Sequence, residues 1–160
     1  MKKTTIIILA LCTAFGLGFT FKTVITDKSN NLTEMKRVTG IGGIFFKCTN
    51  PHKVREWYKT HLGFTINPWG GTSSEWRLAT DSSKKGSTEW RAFPDTTKYF
   101  APSTKDFMIN YRVDNLDTLV VKLKKEGVTI VDKMETYDFG KFIHIMDIEG
   151  NKIELWEPKD

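Results

Sequence analysis

The stretch Lys141-Phe-Ile-His-Ile-Met-Asp-Ile-Glu-Gly-Asn-Lys-Ile-Glu-Leu-Trp-Glu157 decides how this chain folds. Ile143 and Ile145 alternate with Phe142, His144 and Met146, while Ile153 and Leu155 alternate with Lys152, Glu154 and Trp156. A period of two sends successive side chains to opposite faces of a half-buried strand. Between the two runs, Asp147-Ile148-Glu149-Gly150 suits a type I turn, with Asp first and a glycine free to take positive φ last. A short hairpin loop ending at Gly150 pairs Asp147 with Asn151. Counting back sets Ile145 opposite Ile153, Ile143 opposite Leu155, and His144 opposite Glu154. The apolar residues meet one another, so the register is self-consistent. It predicts a His144/Glu154 pair on the other face of the sheet.

The chain of 160 residues is long enough for one domain with a proper core. Its 11 Phe and 5 Trp mean that large side chains must line something. Met1 to Phe21 stands apart, with Lys2 and Lys3 ahead of an apolar run from Ile6 to Phe21. This is the charged and apolar pattern of an export signal, and the run is short of the roughly 20 residues of a membrane span. Gly16 and Gly18 could precede a cleavage site, and Leu11 before Cys12 argues against lipidation. The expectation is an exported protein, periplasmic or extracellular, or one anchored through residues 6–21. A cleaved chain would lose Lys2 and Lys3 and fall from +5 to about +3 (5 − 2). Without a long basic run, no nucleic-acid partner is expected. Only Cys48 would remain, so no internal disulfide forms, and a lone thiol in an apolar strand reads as packing.

Residues 22–37 are mostly polar and read as a linker, with the folded domain over 38–160. Gly42 to Cys48 reads as a strand. Asn50 then caps a helix with Pro51 at its first position, Val54, Trp57, Tyr58 and Leu62 form its apolar stripe, and Gly63 ends it. Phe64 to Asn67, Glu75 to Ala79 and Thr88 to Phe93 read as strands, and Asp95 to Lys105 as a connecting loop. The pattern then restarts. Phe107 to Val113 is a strand, Asn115 caps a helix through Glu126, and Gly127 ends it. Caps and helix ends recur at an offset of 64 or 65 positions (127 − 63, 115 − 50), giving two copies of strand–helix–three strands.

Gly42 to Phe64, Phe107 to Gly127 and the closing run from Asp147 to Pro158 resemble the vicinal oxygen chelate superfamily. That superfamily includes glyoxalases, bleomycin-resistance proteins, fosfomycin-resistance enzymes and extradiol dioxygenases. The resemblance covers the chain from Val38 to its end. It implies an α+β fold in which two βαβββ modules form an eight-stranded cup around a small-molecule site. Metal-dependent relatives hold a divalent ion with side chains from the first and last strands of the modules. By position these fall on Gly43, Met108, Glu154 and Trp90, with Glu89 taking the last place if the alignment slips by one residue. Gly43 has no side chain and Met108 is a poor ligand for hard ions. The resemblance therefore implies no metal held in the family's usual way, and no cofactor is expected.

His144 and Glu154 are the candidate catalytic pair, because directly opposed residues stand close enough to hydrogen-bond and the carboxylate would orient the imidazole. They serve equally as a satisfied polar pair within a sheet. Lys47, Asn110 and Arg112, with Arg77 or Arg91, could receive a carboxylate or phosphate in the cup. Phe45, Trp76, Trp90, Phe93, Met108 and Trp156 could wall a flat ligand or simply form core. His52 and His61, in the first helix, read as surface or partly packed residues. The functional expectations are metal-independent acid/base chemistry on a small molecule, or sequestration of a ligand without chemistry. A metal-dependent lyase or dioxygenase is disfavoured. The expected partner is a small-molecule ligand, with membrane association if the N-terminal segment is retained; a homodimer is left open.

Overall fold

Local signals set the two helices of the computed structural model, which describes residues 37–79 and 81–159. Helix α1 spans Pro51–Leu62, with the Asn50 side chain accepting from Lys53 N at 3.0 Å and Gly63 at φ +70° ending it. Helix α2 spans Leu116–Lys125, with Asn115 accepting from Thr118 N at 3.0 Å and Gly127 at φ +78° just beyond it. A side-chain oxygen satisfies an otherwise orphaned N–H at each start, and glycine takes the left-handed turn past each end at little steric cost. The export-signal and linker expectations for residues 1–36 lie outside the described residues.

The strands are β1 Val38–Cys48, β2 Gly71–Leu78, β3 Asp81–Pro94, β4 Phe107–Val113, β5 Thr129–Ile130, β6 Glu135–Tyr137, β7 Gly140–Met146 and β8 Lys152–Pro158. They form one eight-stranded sheet in the order β2-β3-β1-β4-β8-β7-β5, with β6 also on β7. The first and last strands of each module are parallel neighbours, β1 with β3 and β4 with β8. β1 and β4 pair antiparallel at the middle, joining the modules. This is the paired-module α+β cup expected from the sequence. The closing hairpin has the expected register, with Ile145 opposite Ile153, His144 opposite Glu154 and Ile143 opposite Leu155.

The strand expected over Phe64 to Asn67 is not formed; that segment is irregular. Pro68 has no N–H to give a ladder, and the Asn67 side chain captures the neighbouring backbone instead, accepting from Trp69 N and Gly71 N at 3.0 Å each. Two strands rather than three therefore follow α1, and four, β5 to β8, follow α2.

The modules also differ in how they bury their helices. Leu116, Leu119, Val120 and Leu123 of α2 are buried with Val113, Ile143, Ile145 and Leu155 in one core. Each such side chain contributes about 1.5–3 kcal/mol on burial. Helix α1 buries none of its residues fully; it is held by a ring cluster in which Trp90 meets Tyr58 at 4.5 Å, Phe64 at 5.3 Å and Phe46 at 5.5 Å. The second module thus carries most of the aliphatic core.

Candidate functional site

The face opposite that core is the cup. Pairing sets Glu89 beside Gly43, Gly43 opposite Asn110, and Asn110 beside Glu154, so four strands meet there. A register shift between Ile41 and Gly43 turns both Gly42 and Gly43 toward Asn110. A Cβ on Gly42 would collide with Asn110 Oδ1 and stand 2.8 Å from Trp156 Cε3. Only glycine permits that approach.

Glu154 is 3 % exposed and is held from three sides. Its Oε1 accepts from the Tyr99 hydroxyl and lies 3.0 Å from His144 Nε2, and its Oε2 accepts from Asn110 Nδ2 at 2.5 Å. Burial alone would raise the pKa of this carboxyl, but the hydrogen bonds from His144, Tyr99 and Asn110 outweigh it and hold the group below the usual range. Burial, reinforced by the Glu154 charge, pushes the Tyr99 phenol far above its ordinary value. The predicted pair is therefore present as part of a larger network. On its far side, His144 Nδ1 lies 2.6 Å from Asp132 Oδ2, and His144 N donates to Asp132 Oδ1 at 3.0 Å. A neutral imidazole donates through one ring nitrogen; only the protonated ring donates to both carboxylates. Lys152 is also buried, which lowers its pKa, and its Nζ donates to Tyr99 O at 2.8 Å.

Beside this network lies an open cavity of about 210 Å³. Phe45, Trp69, Phe139, Phe142 and Trp156 supply rings to its wall, and Glu89, Arg91, Asn110 and Glu154 supply polar groups. Phe142 and Trp156 stack at 6.0 Å and 10°, and Phe139 meets Phe142 edge-on at 5.5 Å. Trp156 Nε1 donates to Phe139 O at 3.1 Å, fixing the indole while leaving its ring to the cavity.

Of the sequence candidates, Phe45, Glu89, Trp90, Arg91, Asn110, Glu154 and Trp156 border this cavity. The Trp90 ring is engaged by Tyr58, Phe64 and Phe46, and the residue paired with Gly43 is Glu89. Met108 is fully buried opposite Phe45, and Asn110, two positions further on, is what stands between Gly43 and Glu154. Arg112 donates from Nη1 to Lys85 O at 2.8 Å, and Lys47 lies 3.7 Å from Asp106 and over the Phe100 ring at 5.6 Å. Neither borders the cavity, and nor do Trp76, which covers Gly40 and Gly86, and Phe93, which stacks on Tyr99 at 5.5 Å. Tyr99, Asp132 and the ring of Phe139 are not marked by the sequence pattern. They sit in connecting segments, where no periodicity gives the direction of a side chain.

The donor set does not fit the divalent ion that the sequence resemblance implies for metal-dependent members. Gly43 offers no ligand, Glu154 Oε1 already serves two partners, and Asn110 points N–H groups at Oε2 where a cation would need a lone pair. Among the described residues, no group of three or more His, Cys, Asp or Glu side chains is placed to hold a metal ion.

No protein-family model and no curated protein matches the chain. Solved structures do. Methylmalonyl-CoA epimerase from Mycobacterium tuberculosis superposes with a TM-score of 0.53 at 20% identity, over 82% of this chain and 95% of that one. A variant of the Streptomyces coelicolor methylmalonyl-CoA epimerase in complex with 2-nitronate-propionyl-CoA gives 0.56 at 15% identity, over 77% and 99%. A methylmalonyl-CoA epimerase in complex with methylmalonyl-CoA and NH4+ gives 0.53 at 17% identity, over 76% and 95%. At these identities the likeness is one of fold. The chain has the cupped, paired-module fold of the vicinal oxygen chelate superfamily.

Proposed function

We propose that this protein binds a small, planar, largely apolar molecule in its cup, and that Glu154 builds the cup rather than moving protons. One observation carries the reading. The only fully buried carboxylate of the cup among the described residues has both oxygens engaged and a lowered pKa, which makes it a poor base. The rings beside it remain open to a ligand. A cavity of about 210 Å³ is small beside the roughly 300–1,000 Å³ of drug-sized sites, which favours a ligand of about two fused rings. The basic and apolar Met1 to Phe21 segment supports export as part of this reading.

Calorimetric titration with β-naphthylethanol tests it. Saturable binding at one site, weakened at least about tenfold in Trp156→Ala, is expected from the loss of a buried ring contact. No binding by this alcohol or by its amine, acid and amino-acid analogues, or binding untouched by that change, would sink the reading.

A second reading, acid/base chemistry, draws on the chain of contacts from half-exposed Asp132 through His144 to Glu154. It predicts a proton-transfer activity that His144→Asn abolishes while ligand binding persists; an activity that survives His144→Asn would exclude it.

A further inference from the structure

Two charged side chains of opposite sign border the cavity and take no part in the network around Glu154. Glu89 and Arg91 are two residues apart on β3, on the face shared with Gly43 and Phe45. Strand geometry sets their Cα atoms roughly 7 Å apart along the wall. Among the described residues, neither side chain forms a hydrogen bond or an ion pair with another, and they do not pair with each other. Glu89 is half-buried, deeper beside Gly43, and Arg91 is exposed at the rim, its guanidinium over the Phe93 ring at 4.8 Å. Contact with that ring leaves the N–H groups of the fork available to a ligand at the cavity that Arg91 borders.

Charged groups turned toward a mostly apolar cavity without partners are costly to desolvate, and a ligand that covers them must supply the missing partners. A neutral aromatic would bury both uncompensated. A simple anion would satisfy Arg91 at the expense of Glu89, and a simple cation would do the reverse. We propose that the ligand is a zwitterionic aromatic: a planar ring system seated against Phe45, Phe142 and Trp156, carrying an amine that meets Glu89 and an acid group that meets Arg91. This inference rests on the proposed ring-binding function and narrows it to a substrate class. Arg91 supplies bidentate recognition of the acid, and Glu89 a charge-assisted bond to the ammonium.

A matched series sharing one ring system separates the two levels of the claim: β-naphthylalanine, β-naphthylethylamine, β-naphthylpropionate and β-naphthylethanol, each titrated calorimetrically into the full chain. The zwitterion is expected to bind at least about tenfold more tightly than any of the other three, the amount expected for one charge-assisted bond beyond the ring contacts. Glu89→Gln should erase its advantage over the propionate but keep its advantage over the amine, and Arg91→Gln should do the converse. Four equal affinities would overturn the zwitterion assignment and leave ring binding standing. A preference that survives both substitutions would overturn that assignment in the same way. No binding by any of the four would overturn both.

Discussion

The Tyr99 hydroxyl donates to the same Glu154 oxygen that lies 3.0 Å from His144 Nε2, so a residue from the connection between the two modules completes a network whose other members all lie in the second. That shared oxygen makes Glu154 the residue on which the site's structure depends.

Glu154→Gln should therefore cost stability out of proportion to its small change in shape. A neutral amide weakens three hydrogen bonds at once and turns two N–H groups toward existing donors, so a loss of about 2–4 kcal/mol is expected in urea unfolding. A loss within error of zero would mean the network is not formed in solution.

The same pair of proteins gives a pH test. The folded-state pKa of Glu154 lies below its ordinary value of 4.5, so its contribution is full above that value and is lost as pH falls through the lower folded one. The stability gap between wild type and Glu154→Gln should be constant at neutral pH and narrow only below about pH 4.5. A gap that instead widened in acid would show that the carboxyl is protonated in the native state.

Gly42→Ala tests the close approach at the middle of the cup. The new methyl would overlap Asn110 Oδ1 and Trp156, both fixed by hydrogen bonds, and the strain should cost about 1–3 kcal/mol. Binding of β-naphthylethanol should weaken with it, because Trp156 must move. An unchanged melting temperature and affinity would show that the cup is looser than these contacts require.

The unequal modules predict unequal mutational costs. Leu119→Ala removes a buried side chain from the α2 core and should lose about 2–5 kcal/mol, whereas Val54→Ala on α1, where nothing is fully buried, should lose about 1 kcal/mol or less. Equal losses in chemical denaturation would place a core under α1 as well.

What is legible in the sequence follows from the range of the interactions involved. The closing hairpin reads to the residue, since alternation fixes which face each side chain takes, and Asp147 and Gly150 fix the turn. Helix ends are legible for the same local reason, through Asn50, Gly63, Asn115 and Gly127. Phe64 to Asn67 misleads because its apolar content favours a strand while Pro68 and the Asn67 side chain favour a turn, and the turn prevails. The partners of Glu154 divide in the same way. His144 is legible because it lies across a hairpin. Tyr99, 55 positions away, and Asp132 are not, because loops carry no period and only the folded chain brings them in.

The connection between modules, residues 95–106, bears on how this chain could be divided. Phe100 is fully buried, Ser103 Oγ donates to Gly150 O at 2.7 Å, and Lys152 reaches back to Tyr99 O. Although this is the natural seam of a duplicated sequence, cutting there would not release two interchangeable halves. One half would lose the segment that fills its floor. A permuted or split version of the protein should instead be opened at the exposed β2–β3 tip near Ser82 and Ser83, which leaves that seam whole.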